Sequence, residues 1–160
     1  MQNGKFGSLA GKAEEPFRVV LLDPQTDLPL KDVNGKEAFI DVLSTQSEVG
    51  RKFDRSQRTQ TMRRAMRGRT QEQSEDDTLE TNFAKLAQLT VAWHLVDPKT
   101  KEPLFVDVSA ENAAEFYSLP LAWSFYLQAW LAANEPANFL PSVSNVSSPS
   151  PRKNSATVAG

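Results

Sequence analysis

Residues 74–93, SEDDTLETNFAKLAQLTVAW, bring cap, charge and apolar spacing into agreement on one helix. Ser74 followed by Asp77 fits a capping box, in which the hydroxyl accepts a free backbone N–H and the carboxylate reaches back to the cap. Glu75, Asp76, Asp77 and Glu80 crowd the first turns, where the positive end of the helix dipole favours them. Leu79, Phe83, Leu86, Ala87, Thr90 and Trp93 recur at steps of three and four. That spacing puts them on one face of a helix running to Trp93, and a face so apolar has to be buried.

Working outward from this helix, the N-terminal side reads as sheet. Phe17–Leu22 (FRVVLL) is β-branched and apolar and lies between Pro16 and Asp23-Pro24, which predicts a strand. Asn34-Gly35 is the strongest short-range turn signal in the chain, because both residues tolerate positive φ. It should return the chain into a second strand at Ala38–Leu43 (AFIDVL). Ser47 then caps a helix from Glu48 to about Arg67, closed by Gly68. That helix is thinly apolar, with Val49 and Phe53 as one pair and Met62 and Met66 as another.

The C-terminal side begins with His94, the one histidine, read as a helix-terminal residue whose charge suits the negative end of the dipole. Asp97 to Leu104 repeats the pattern D-P-x-T-x-x-P-L of Asp23 to Leu30, and each copy should make the same kind of turn. Leu104–Val108 predicts a short strand, Ser109 caps a helix at Ala110–Tyr117, and Pro120 suits the start of another at Leu121–Asn134. This last helix carries Leu121, Trp123, Phe125, Tyr126, Leu127, Trp130 and Leu131 on more than one face. It is either central to the core or an apolar patch for a partner. The expected architecture is α+β: a small N-terminal β-hairpin or sheet followed by a mainly helical bundle. A flexible arm at 1–15, one domain at 16–141 and a disordered Ser/Pro-rich tail at 142–160 complete it.

The 160 residues suffice for one domain with a core, and no apolar run approaches the length of a membrane span. The N-terminus lacks the apolar segment of a signal peptide, so a cytoplasm is expected. Without cysteine there is no disulfide, thiol nucleophile or thiolate metal site. One histidine makes no metal site by itself, and neither a phosphate-binding loop nor a hydrolase or metalloprotease motif occurs. No cofactor, no metal and no enzymatic activity are expected.

The net charge of −2 hides an uneven distribution. Residues 47–70 hold eight basic and two acidic side chains, whereas 71–160 hold five basic and eleven acidic. The arginines of the basic helix either pair with the acidic start of the next helix in a solvated face, or form a docking surface for an acidic partner. Nucleic acid would suit the charge too, but no aromatic residue beyond Phe53 interleaves it and no nucleic-acid-binding signature accompanies it.

Several parts in this order resemble a family of tail assembly chaperones from long-tailed bacteriophages. They are Asp23–Pro29, a strand ending near Val42-Leu43, the basic helix Arg51–Arg69, and the acid-started helix ending in Trp93. Ser109-Ala-Glu-Asn-Ala-Ala114 and the closing Ala137-Asn138-Phe139-Leu140 are the most specific. The resemblance spans about residues 17–142. It implies a protein of the host cytoplasm that binds the tape-measure protein, keeps that long helical chain soluble and presents it to tail-tube subunits. The tape-measure and tail-tube proteins are the implied partners, and self-association is compatible with it. Composition and spacing nominate Trp123, Tyr126, Leu127, Trp130 and Phe139 for apolar contact, and Arg51, Arg55, Arg58 and Arg63 for charge. The competing expectation is a structural virion protein, capsid-decorating or tail subunit, with flexible termini.

Overall fold

A computed structural model describes residues 5, 6, 11–68 and 75–141. Ala13–Phe139 forms one compact unit and holds all the elements below. The tail expected at 142–160, most of the arm at 1–15 and the capping residue Ser74 lie outside the described residues.

Strands β1 (Phe17–Val20), β2 (Phe39–Val42), β3 (Thr90–Val96) and β4 (Pro103–Leu104) form one antiparallel sheet in the order β1-β2-β3-β4. Helices α1 (Glu48–Met66), α2 (Glu75–Leu89), α3 (Ala110–Ser118) and α4 (Trp123–Asn134) complete an α+β fold. Val19, Ile40 and Val42 point to one side, where Leu86, Leu89, Tyr117, Phe125, Tyr126 and Ala129 meet them in a single core. Ala113, Ala129 and Ala133 are fully enclosed there, and such small side chains let helices come close to their neighbours. No described helix is long and apolar enough to cross a membrane.

The helix expected through Trp93 stops at Leu89, and the chain passes directly into β3. Thr90-Val-Ala-Trp-His-Leu-Val96 is rich in β-branched and aromatic residues, and it pairs with β2 through Ile40↔Trp93 and Phe39↔His94. Thr90 is buried at the junction, its hydroxyl donating to Leu86 O and sharing a 2.7 Å hydrogen bond with Tyr117. His94 therefore sits within a strand and not at a helix end. Its Nε2 lies 2.9 Å from Asp32 Oδ2, and that carboxylate also accepts the N–H groups of Asn34 and Lys36. The Asn34-Gly35 turn forms as expected, with Gly35 at φ 86°.

The two D-P-x-T-x-x-P-L stretches make the same kind of turn with the same framing backbone bonds. Asp23 N–H donates to Leu28 O and Asp97 N–H to Glu102 O, while Asp27 and Lys101 both return their N–H to the opening Asp. Among the described residues, those two are also the non-glycine residues of positive φ, at 59° and 64°. The turns are tied to each other, since Lys101 Nζ donates to Asp23 Oδ2 at 2.9 Å and Val33 N–H to Lys101 O. Pro103 and Leu104 pair with Val96 and Leu95, but the strand expected to reach Val108 ends at Leu104. Instead, Trp93 donates its indole N–H to Val106 O, which turns that segment away from the ladder.

Ser47 caps α1 as expected, accepting from Gly50 N–H, and Glu14 Oε2 accepts the N–H of Glu48 at 2.8 Å. Residue 14, expected in a mobile arm, thus satisfies a donor that a helix start leaves free. Gly50 is required by close approach, because a Cβ there would run into the Thr45 carbonyl. The helix closes through Arg67 onto Gly68 at φ 73°.

Candidate functional site

Helices α1, α2 and α4 leave a groove of about 330 Å³ between them. Phe53, Asp54, Gln57 and Arg58 line it from α1, Thr81, Asn82 and Lys85 from α2, and Trp130 and Asn134 from α4. Local sequence positions each wall. Phe53 lies four residues after Val49, on the side of α1 that meets the core, so its ring is half-buried. Lys85 crosses to Asp54 at 2.9 Å and fixes α1 against α2. Arg58 makes no ion pair among the described residues and stands exposed at the rim.

An aromatic row on α4 supports the groove from beneath. Trp123, Tyr126 and Trp130 follow at steps of three and four, with ring centroids 5.3 and 6.0 Å apart along the row. Tyr126 also meets Phe83 edge-on at 4.9 Å. Burial raises the Tyr126 phenol above its ordinary value, and the nearby Asn82 amide of the groove wall opposes this in part.

The structure divides the nominated apolar residues. Trp123 is exposed and Trp130 and Leu127 are half-buried, whereas Tyr126 and Phe139 are core residues. Phe139 packs edge-on against Phe17 at 6.0 Å, and Tyr126 is enclosed by four rings. Burial removes both from any contact surface of this fold, which corrects their assignment as partner-binding side chains. Among the exposed apolar groups are Leu121 at 86% and Leu131 at 64%, neither of which had been nominated.

Arg51, Arg55, Arg58 and Arg63 are all exposed on α1. Arg55 reaches Glu48 at 3.3 Å across exposed ends, a contact worth little in water. Arg51, Arg58 and Arg63 make no ion pair among the described residues. The pairing expected with the acidic start of α2 is therefore not seen for these three among the described residues.

The structure joins one member of each nominated set, Arg58 and Trp130, in a single groove. Between them stand Gln57, Asn82 and Asn134, which sequence reasoning missed. No sequence signal marks them, because isolated amides on three separate helices acquire a common surface only through packing. An aromatic wall, several amides and a cation at the rim suit a peptide segment that carries an apolar side chain beside a carboxylate. The described residues contain no group of three or more His, Asp or Glu side chains placed to hold a metal ion. Comparison with protein-family models, with curated proteins and with solved structures gave no match.

Proposed function

We propose that this chain is a non-enzymatic assembly chaperone of a long-tailed phage. It binds the tape-measure protein, keeps it soluble in the host cytoplasm and helps recruit tail-tube subunits. One observation carries the reading: the groove that sets Trp130 beside Arg58, at the foot of a helix whose arginines stay exposed. An amphipathic client helix needs an apolar receptor to cover its stripe and charge to choose its orientation, and the groove with α1 supplies both. Leu121, Trp123 and Leu131 extend the exposed apolar surface along α4 and its approach. The resemblance in segment order to tail assembly chaperones, strongest at Ser109–Ala114 and Ala137–Leu140, supports the same reading.

Co-expression with the long helical protein encoded nearby, followed by affinity purification and sizing, tests it. The expected result is a soluble complex, with the client insoluble when this chain is omitted. Absence of a complex, together with stoichiometric recovery of this chain from finished particles, would replace the chaperone with a structural virion subunit.

A further inference from the structure

Helix α1 carries a seam on the side that the domain leaves uncovered. At 100° per residue, Val49, Gly50, Phe53 and Gln57 fall on the side turned to the domain, and all four are buried or half-buried. Arg51, Arg55, Arg58, Met62 and Ala65 fall on the opposite side, at steps of four, three, four and three, and all five are exposed. Alternating steps of this kind keep the five side chains on one stripe of the helix. The stripe spans about 21 Å at 1.5 Å per residue.

The seam has two chemically distinct ends. Arg51, Arg55 and Arg58 form the first; Glu48 reaches Arg55 at 3.3 Å across exposed ends, and no acidic residue follows between Arg55 and Gly68. Met62 and Ala65 form the second, flanked by Met66, and the methionines are 64% and 83% exposed. Guanidinium forks take carboxylates in bidentate pairs, and thioether side chains adapt to irregular apolar surfaces.

We propose that this seam docks one acidic amphipathic α-helix of the client. That helix presents carboxylates at heptad spacing to Arg51, Arg55 and Arg58 and an apolar pair to Met62 and Ala65. The inference rests on the client-binding reading above and names the segment chemistry that α1 takes; Arg58 stands where the seam meets the groove, and the other seam residues lie outside the groove lining. A nucleic-acid backbone would occupy the arginines and leave both methionines in water. The single aromatic residue of segment 47–70, Phe53, faces the domain and offers no stacking platform. A second copy pairing seam to seam would gather like charge in one interface.

The test titrates the full-length chain with overlapping helical segments of the tape-measure protein, comparing wild type with Arg51→Glu/Arg55→Glu, Met62→Asp and Trp130→Ala. A short DNA duplex and sedimentation equilibrium of the chain alone serve as the other arms. At least about tenfold weaker binding is expected for the charge reversal and for Met62→Asp. The charge effect should fade with added salt, and affinity should return when the matching client carboxylates become lysines. A wild-type chain that binds no segment removes the client reading and this inference with it. Binding that Trp130→Ala weakens, while both seam variants stay within about twofold of wild type, removes the seam alone. Arginine-dependent binding of the duplex in place of the segments, or self-association abolished by the charge reversal, also overturns it.

Discussion

Asp32 joins two parts of the chain that lie far apart in sequence. His94 from β3 and the backbone N–H groups of Lys36 and Asn34 converge on its carboxylate. The His94 bond first, and then those of Lys36 and Asn34, hold the Asp32 carboxyl below the usual carboxylate range, against the opposing effect of burial. Asp23 is lowered likewise, first by Gln25 N–H and then by Lys101. A carboxylate whose folded pKa is depressed stabilises the fold above its ordinary value, and that contribution disappears as pH falls through the depressed value. The melting temperature should therefore decline below about pH 4, where unfolded aspartates begin to protonate. Asp32→Asn should be less stable than wild type at neutral pH, and the gap should narrow towards about pH 2. Thermal melts across that range check this, and a gap independent of pH would assign the loss to something other than the carboxylate. Nothing near His94 in sequence points to this partnership, since Asp32 lies 62 residues away.

Among the elements, α4 owes its place to a residue that its apolar composition conceals. Gln128 accepts the Leu22 N–H at 2.8 Å and donates to Leu22 O at 3.2 Å, so one side-chain amide does the work of a strand residue beyond β1. Removing it leaves a backbone donor and acceptor without their partner. Gln128→Ala should cost about 1–2 kcal/mol in urea unfolding, and a cost within the range of an ordinary surface change would sink this account. The junction of α2 with β3 shows why element type was harder to read than burial. Leu86, Ala87, Thr90 and Trp93 fit a helical face, while Trp93 and Leu95 also fit alternation along a strand. Alternation from Trp93 and Leu95 would turn Thr90 to the opposite face, but the register slips at Val91, since Asp41 pairs with Ala92 and Val42 with Thr90, and both Thr90 and Leu95 are buried. The choice of strand came from pairing: β2 takes Thr90 and Ala92 to His94 into its ladder, and β4 takes Leu95 and Val96.

At the scale of the molecule, binding and folding can be separated along α4. Tyr126 is enclosed by Phe83, Tyr117, Trp123 and Trp130, so Tyr126→Ala should cost about 3–5 kcal/mol of stability. Leu121 stands 86% exposed, and Leu121→Ser should stay within about 0.5 kcal/mol of wild type. Chemical denaturation of the two variants decides the matter. Comparable losses in both would mean that the exposed approach to α4 is packed as tightly as its inner side. Loss of client binding in Tyr126→Ala would then report unfolding, whereas the same loss in Trp130→Ala would report the groove.

The sequence by itself determined the α+β class, the cap and end of α1, the Asn34-Gly35 turn and the shared geometry of the two D-P-x-T-x-x-P-L turns. Each of these follows from local forces: a hydroxyl within reach of a free N–H, a glycine that tolerates positive φ, an Asp that accepts from the backbone two residues on. Only the tertiary structure decided that α2 ends at Leu89, that Tyr126 and Phe139 belong to the core, and that Arg58 and Trp130 share a groove. These outcomes depend on pairing and packing between residues distant in the chain. Their free energies appear only when strand edges, ring faces and charged ends meet, and no local spacing encodes which of them will.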